Sequence, residues 1–167
     1  MTCPLPVIGV VRTGRTSRER TPVQAALNQT EQGTLEVAEP YAAGLADLDG
    51  FDYVWLLSWL HDHADHAEPA PMTQVPFLLR PTPRRIGVFA TRGPRRVNPI
   101  GLSLVRLLAI DGRLVRFAGV DLVDGTPVID LKPYVAAFDR PAGEPRAGWL
   151  DEVTLTEGVT PADLPAT

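Results

Sequence analysis

Apolar and polar residues alternate along this chain in short stretches, which predicts a succession of strands with little helix. Val7 to Arg12 alternates weakly and reads as a first strand. Gly33 to Ala38 predicts a second. Tyr53 to Leu60 is an almost unbroken apolar run of Tyr, Val, Trp and Leu, the pattern of a strand buried on both faces. Ile86 to Thr91 predicts another strand. Leu102 to Ile110 and Leu114 to Val120 predict a hairpin turning at Asp111-Gly112. Asp124-Gly125 marks a further turn, followed by a short strand from Pro127 to Leu131. The single helical signal is Pro40 to Leu48, with proline at its start and Gly50 just beyond.

Two long segments break the alternation. Thr13 to Gly33 is polar and arginine-rich, too long for an idle connection, and reads as a functional or mobile loop. His61 to Thr82 holds all three histidines, and Pro69, Pro71, Pro76 and Pro81 forbid a long helix or a central strand there. Beyond Trp149 the chain is polar, with a possible last strand at Val153 to Leu155 and a loose tail. About seven strands and one short helix define a mostly β class. A single-sheet β-barrel with long loops is the economical way to remove sheet edges. The expected boundaries are a barrel domain over residues 5–150 and a tail over 151–167.

Composition narrows the setting. A length of 167 residues suits one domain with a real core. Nothing resembles a membrane span or a secretory signal, and one cysteine, Cys3, fits a reducing compartment, so a cytoplasmic protein is expected. The net charge of −4 argues against an extensive grip on phosphate. The cations are unevenly spread, however. Lys132 is the only lysine, while Arg80, Arg84, Arg85, Arg92, Arg95 and Arg96 crowd one stretch and Arg12, Arg15, Arg18 and Arg20 another. Arg12, Arg15, Arg18, Arg20, Arg95 and Arg96 are expected to form a positive rim around a site, the plain alternative being that the two groups solvate loops.

Three places could carry chemistry. His61, Asp62, His63, Asp65 and His66 mix imidazole and carboxylate groups, but no second ligand cluster exists to complete a zinc site, so no metal is expected. Gly87 to Ser103 is a strand, a loop dense in Gly, Pro, Arg and Asn, and a resumed strand. Close backbone approach, a planar guanidinium and an amide that donates and accepts make this a cradle for an anion and a nucleoside. Gly119 to Tyr134 sets Asp121, Asp124, Asp130 and Lys132 among apolar strand residues. Asp130 and Lys132, two apart on a strand, share a face, as a structural ion pair or as part of a site.

These last two segments, Gly87 to Ser103 and Asp121 to Tyr134, resemble the signature segments of the TsaA-like, or TrmO, family. Ile8-Gly9-Val10-Val11-Arg12, Pro22, Gln24 and the stretch from Phe51 to His61 agree, so the similarity spans roughly residues 6–150. The resemblance implies a β-barrel that binds S-adenosylmethionine, acts as a homodimer, and methylates the exocyclic nitrogen of threonylcarbamoyl-adenosine beside the tRNA anticodon. It implies a cofactor site at Arg92, Asn98, Pro99, Ile100 and Gly101. Asp121, Asp130, Lys132 and Tyr134 would line the same pocket or its substrate side, as catalytic candidates. Arg12, Gln24 and His61 match weaker positions, and Arg95 and Arg96 are added as RNA contacts. Gly93, Val97 and Val23 depart from the family's usual Ser, Pro and Arg. A small-molecule methyltransferase on the same barrel, or a non-catalytic module that binds the cofactor or a nucleotide, are the alternative readings.

Overall fold

The computed structural model describes residues 4–61 and 70–165. Six antiparallel strands close into a barrel: β1 (Gly9–Arg12), β2 (Gln32–Val37), β3 (Tyr53–Trp59), β6 (Ile100–Asp111), β7 (Leu114–Ala118) and β8 (Pro127–Pro133). Their order around the wall is β1-β2-β7-β6-β3-β8. β4 (Thr73–Gln74) and β5 (Ile86–Gly87) form a separate two-stranded ribbon.

The period-two pattern fixes the inside of the barrel. Val11, Leu35, Val54, Leu56, Val105, Phe117 and Val128 are almost wholly buried and pack into one cluster. Loop residues complete that cluster: Ala25, Leu45, Leu48, Val120 and Leu122. The long loops are therefore part of the core. This is a physical necessity for a small barrel, whose strands alone leave the ends open to water.

Several expectations change. β3 was expected to be buried on both faces, but only Val54, Leu56 and Ser58 face the interior. Tyr53, Trp55, Leu57 and Trp59 look outward, so the continuous apolar run reflects an apolar outer wall. Pro40 to Leu48 forms two 3-10 turns, Glu39–Leu45 and Leu48–Gly50, and the one α-helix among the described residues is Ala136–Asp139. Ile86 to Thr91 is a strand for two residues only, because Thr91 Oγ1 donates to the Val88 carbonyl (2.9 Å) and closes a 3-10 turn over Val88–Ala90. The hairpin turn lies one residue later than expected. Asp111 pairs with Leu114, leaving Gly112 and Arg113 as the loop, with Gly112 at φ 56°. Val153 to Leu155 is not a strand, since the closed barrel offers it no edge. Instead the C-terminal segment is tied down: Val23 N donates to Val159 O (3.0 Å), Arg80 Nη1 to Pro161 O (3.1 Å) and Trp149 Nε1 to Ala90 O (2.8 Å).

Candidate functional site

At one end of the barrel the chain leaves β7 and places Asp121 between two elements. Asp121 Oδ1 accepts from Ser103 Oγ (2.7 Å), on the inward face of β6. Its Oδ2 accepts from Ala25 N (2.9 Å), in the 3-10 turn Ala25–Leu27. One carboxylate thus fastens the arginine-rich loop to the barrel wall. Asn28 adds a second fastening by donating to Val120 O (2.7 Å). Burial pushes the Asp121 carboxyl up to about 6, opposed by the Ser103 and Ala25 hydrogen bonds and by the positive charge of Arg92. Arg92 is exposed and donates one Nη2 bond to Leu102 O (2.9 Å), which fixes the guanidinium on β6 beside this carboxylate.

The second group lies on the outside of the wall. In register, Leu57 of β3 stands between Leu102 and Asp130, and Trp55 between Leu104 and Lys132. Leu131 packs on the core, so Asp130 and Lys132 point outward. Lys132 Nζ lies 2.7 Å from Asp130 Oδ2, which bears out the shared face. Tyr134 meets Trp55 edge-on, with ring centroids 6.1 Å apart. Asp130 also borders a cleft of about 520 Å³ whose walls include Tyr41, Phe51 and Pro133.

Asn98, Ile100 and Gly101 lead from the Arg92 loop into this outer wall. Asn98 is exposed, its carbonyl accepting from Ile100 N (2.7 Å), whereas Pro99 is buried and its carbonyl accepts from Leu60 N (2.8 Å). Gly101 pairs with Ser58, and a Cβ there would collide with Ser58 Oγ, a buried hydroxyl without a hydrogen-bond partner. The loop therefore enters the barrel over a glycine because nothing larger fits.

The weaker positions scatter. Gln24 sits beside the Asp121 anchor but donates to the neighbouring Val23 carbonyl (2.6 Å), and His61 is half-buried just beyond β3. His63 and His66 lie outside the described residues. Among the described residues, no group of three His, Cys, Asp or Glu is placed to hold a metal, and no helix is long and apolar enough to cross a membrane. The rim of arginines needs correction. Arg12 pairs with Glu36 and Asp124, Arg18 with Glu19, and Arg15 with Glu31 at 2.6 Å. Arg96 spends Nη1 on the Thr91 carbonyl. Most of the N-terminal arginine group, Arg12, Arg15 and Arg18, is paired with acids; Arg95 stays exposed.

The structure thus unites Arg92, Asp121 and the Gly101 entry at one barrel end, and Asp130 and Lys132 on the outer face of β8 with Tyr134 just past its end. Leu57 and Leu102 lie between the two. Sequence reasoning missed Ser103, the amide of Ala25, and Trp55. A serine among Leu102, Leu104 and Val105 was a usable signal, since a polar side chain on an inward strand position needs a partner. A backbone amide leaves no such signal.

These features define a small closed-barrel protein whose candidate site residues gather at the end and on the outer wall of three strands, an architecture distinct from the parallel sheets of doubly wound folds. The chain belongs to the family of the tRNA-methyltransferase O N-terminal domain, whose model matches residues 10–140. It is 36% identical over 145 residues to a probable S-adenosyl-L-methionine-binding protein of Pyrococcus abyssi, covering 87% of this chain and 74% of that one. It is 37% identical over 134 residues to the tRNA (adenine(37)-N6)-methyltransferase of Escherichia coli, covering 77% of this chain. The crystal structure of TrmO from Pseudomonas aeruginosa superposes with a TM-score of 0.70 at 34% identity, over 89% of this chain. The chain spans 56% of the Escherichia coli protein's length and 62% of the Pseudomonas chain.

Proposed function

We propose that this protein binds S-adenosylmethionine at the Arg92–Asp121 end of the barrel and methylates the exocyclic nitrogen of threonylcarbamoyl-adenosine next to the tRNA anticodon. The observation that carries the reading is the convergence of Arg92, Asp121 and the Gly101 entry in a chain of this family. The residues suit the cofactor. Arg92 uses one nitrogen on Leu102 O and keeps the others for a ligand carboxylate. Ile100 and Leu102, 37% and 45% exposed, offer apolar surface to an adenine ring. Gly101 lets the strand enter against Ser58, and Asn98 can read a ribose or base edge.

When bound, the cofactor supplies an electrophilic methyl group. The chain's own residues position the partners and handle the proton. The Ser103 and Ala25 bonds hold Asp121 in place, and a carboxyl poised near 6 suits acceptance of the proton that the attacking nitrogen loses. Lys132, steadied by Asp130, answers the carboxylate of the threonyl group. The relatives' names support a tRNA adenine as the target: tRNA (adenine(37)-N6)-methyltransferases occur among them in Escherichia coli and mouse. A homodimer would cover the apolar outer wall of Tyr53, Trp55, Trp59, Ile100 and Leu102 and set two equivalent sites.

Mass spectrometry of tRNA nucleosides tests the proposal. Cells lacking the gene should lose methylated threonylcarbamoyl-adenosine, and the wild-type gene should restore it while Asp121→Asn should not. Unchanged nucleosides would reject the tRNA substrate. The pairing of Arg12, Arg15 and Arg18 with acids favours one second reading, a small-molecule acceptor on the same site. Purified protein that methylates a metabolite and ignores tRNA would establish it.

A further inference from the structure

Phe89 sits three residues before Arg92, and its ring is 80% exposed. It is not a frayed loop residue. Val88 and Thr91 on either side are buried, at 1% and 7%. Val88 N donates to Met72 O (2.9 Å), Gln74 Nε2 donates to Thr91 Oγ1 (2.8 Å), and Trp149 Nε1 holds the Ala90 carbonyl. A backbone fixed at every neighbouring position thus presents an apolar ring to water.

The stretch of chain that carries it has charge of one sign, and Glu152 of the C-terminal segment meets only Arg84 of it, at 3.7 Å. From Arg80 to Ile110 the sequence contains seven arginines and no Asp or Glu. Arg85 is anchored on Thr73, in the ribbon that carries the turn, through Nε (2.9 Å) to Oγ1 and Nη2 (2.6 Å) to the carbonyl. Arg95 is exposed, and Arg96 grips the Thr91 carbonyl at 3.0 Å. Phe138 is equally exposed but adjoins Asp139, so it lacks this setting. A rigidly mounted aromatic ring between cations is the arrangement that binds single-stranded nucleic acid, by stacking on a base while cations take the flanking phosphates.

We propose that Phe89 is the stacking platform for an unpaired nucleobase of the RNA substrate, with Arg85 and Arg95 on the adjoining phosphates. This rests on the tRNA reading above and specifies which face meets the loop. An exposed ring also suits a protein interface, but a partner protein would need acidic groups to meet the arginines, and the polyanion supplies that charge along its whole backbone.

The test uses the full chain and a fluorescently labelled anticodon stem-loop, with a fully paired duplex of the same stem as control. Phe89→Leu should bind the stem-loop about fivefold or more weakly. Its salt dependence should stay unchanged, because no phosphate contact is lost. Phe89→Trp should retain binding within about twofold. Arg95→Ala should lower the salt slope by about 0.7–0.9. Calorimetric affinity for S-adenosylmethionine should be the same in all three variants. Stem-loop binding by Phe89→Leu equal to wild type overturns the platform while leaving the tRNA reading intact, as does a change in sedimentation size, which would assign the ring to a protein interface. A wild-type protein that binds no tRNA overturns both.

Discussion

Asp121 and Asp130 stand nine positions apart in one sequence motif and share a residue type, yet the barrel gives them opposite surroundings. Asp121 meets no cation at contact distance. It is half-buried, accepts from a serine hydroxyl and a backbone amide, and its carboxyl is pushed up to about 6. Asp130 lies on the outer face, half-exposed, with Lys132 at 2.7 Å. The difference follows from strand parity and one turn. A bulge in β8 opposite Leu57 and Ser58 resets which residues face out, whereas Asp121 follows Gly119, whose φ of 105° turns the chain across the barrel end. Desolvation without a contacting ion pair raises a carboxyl's pKa, while exposure beside a lysine makes an orienting pair of little energetic weight.

Substituting each aspartate breaks the comparison most directly. Asp121→Asn should lower methyl transfer by about a hundredfold or more, the range for loss of a proton acceptor. Its amide cannot accept from both Ser103 Oγ and Ala25 N, so the loop over residues 21–28 should also loosen. Single-turnover rates with tRNA and hydrogen exchange at Ala25 and Ala26 measure the two effects. An undiminished rate would move the proton acceptor elsewhere.

The pH dependence of stability sharpens the same contrast. The folded Asp121 carboxyl binds its proton at about 6 and the unfolded chain's at about 3.8, so the folded state holds more protons between those values. Its contribution to stability therefore falls as pH rises from about 4 to about 6 and is constant above. Wild type should gain on Asp121→Asn by on the order of 2–3 kcal/mol across that window as pH falls. Paired denaturation curves at several pH values read this difference and cancel the acid-destabilising pairs such as Glu31 with Arg15. A difference that does not vary with pH would contradict a desolvated Asp121 carboxyl.

Gly101→Ala tests the join between the two faces. The new Cβ meets Ser58 Oγ, and overpacking of this kind costs about 1–3 kcal/mol. Adding Ser58→Gly should recover much of that loss in a double-mutant cycle. Additive effects would show that the two residues do not collide. Asp130→Asn should change folding stability least, by under about 1 kcal/mol, as expected for an exposed ion pair. Its effect should appear in KM for tRNA, and a large loss of stability would show that the pair is structural.

Much of the barrel was legible because a period of two is a direct imprint of a wall with an inside and an outside. Leu114 to Ala118 and the start of β8 were readable on that basis. β3 misled because its outward residues are apolar too. That pattern belongs to an apolar outer wall, and sequence alone does not separate such a wall from full burial. The candidate site was readable as a set of residue types at Arg92, Asp121 and Asp130, but not as a geometry. Which side of the wall each occupies depends on the β8 bulge and on Ala25 arriving from nearly a hundred residues away. The N-terminal part of the arginine rim was unreadable for a related reason: the acids that pair with Arg12 and Arg15 stand on β2 and on the residue before it, distant in sequence and adjacent in space.

The closure of the barrel has a consequence for how the protein is made. Residue 9 of β1 hydrogen-bonds in register with residue 128 of β8. At about 5–20 residues per second, β8 is synthesised roughly 6–24 s after β1. Until then the first strand has β2 on one side and nothing on the other, and β3 waits for β6 and β8 together. Such non-local pairing folds slowly, on millisecond to second scales even once the chain is complete. The nascent chain therefore carries open edges and the apolar β3 wall for seconds, a window in which chaperone supply or translation speed, more than equilibrium stability, governs the yield of folded protein.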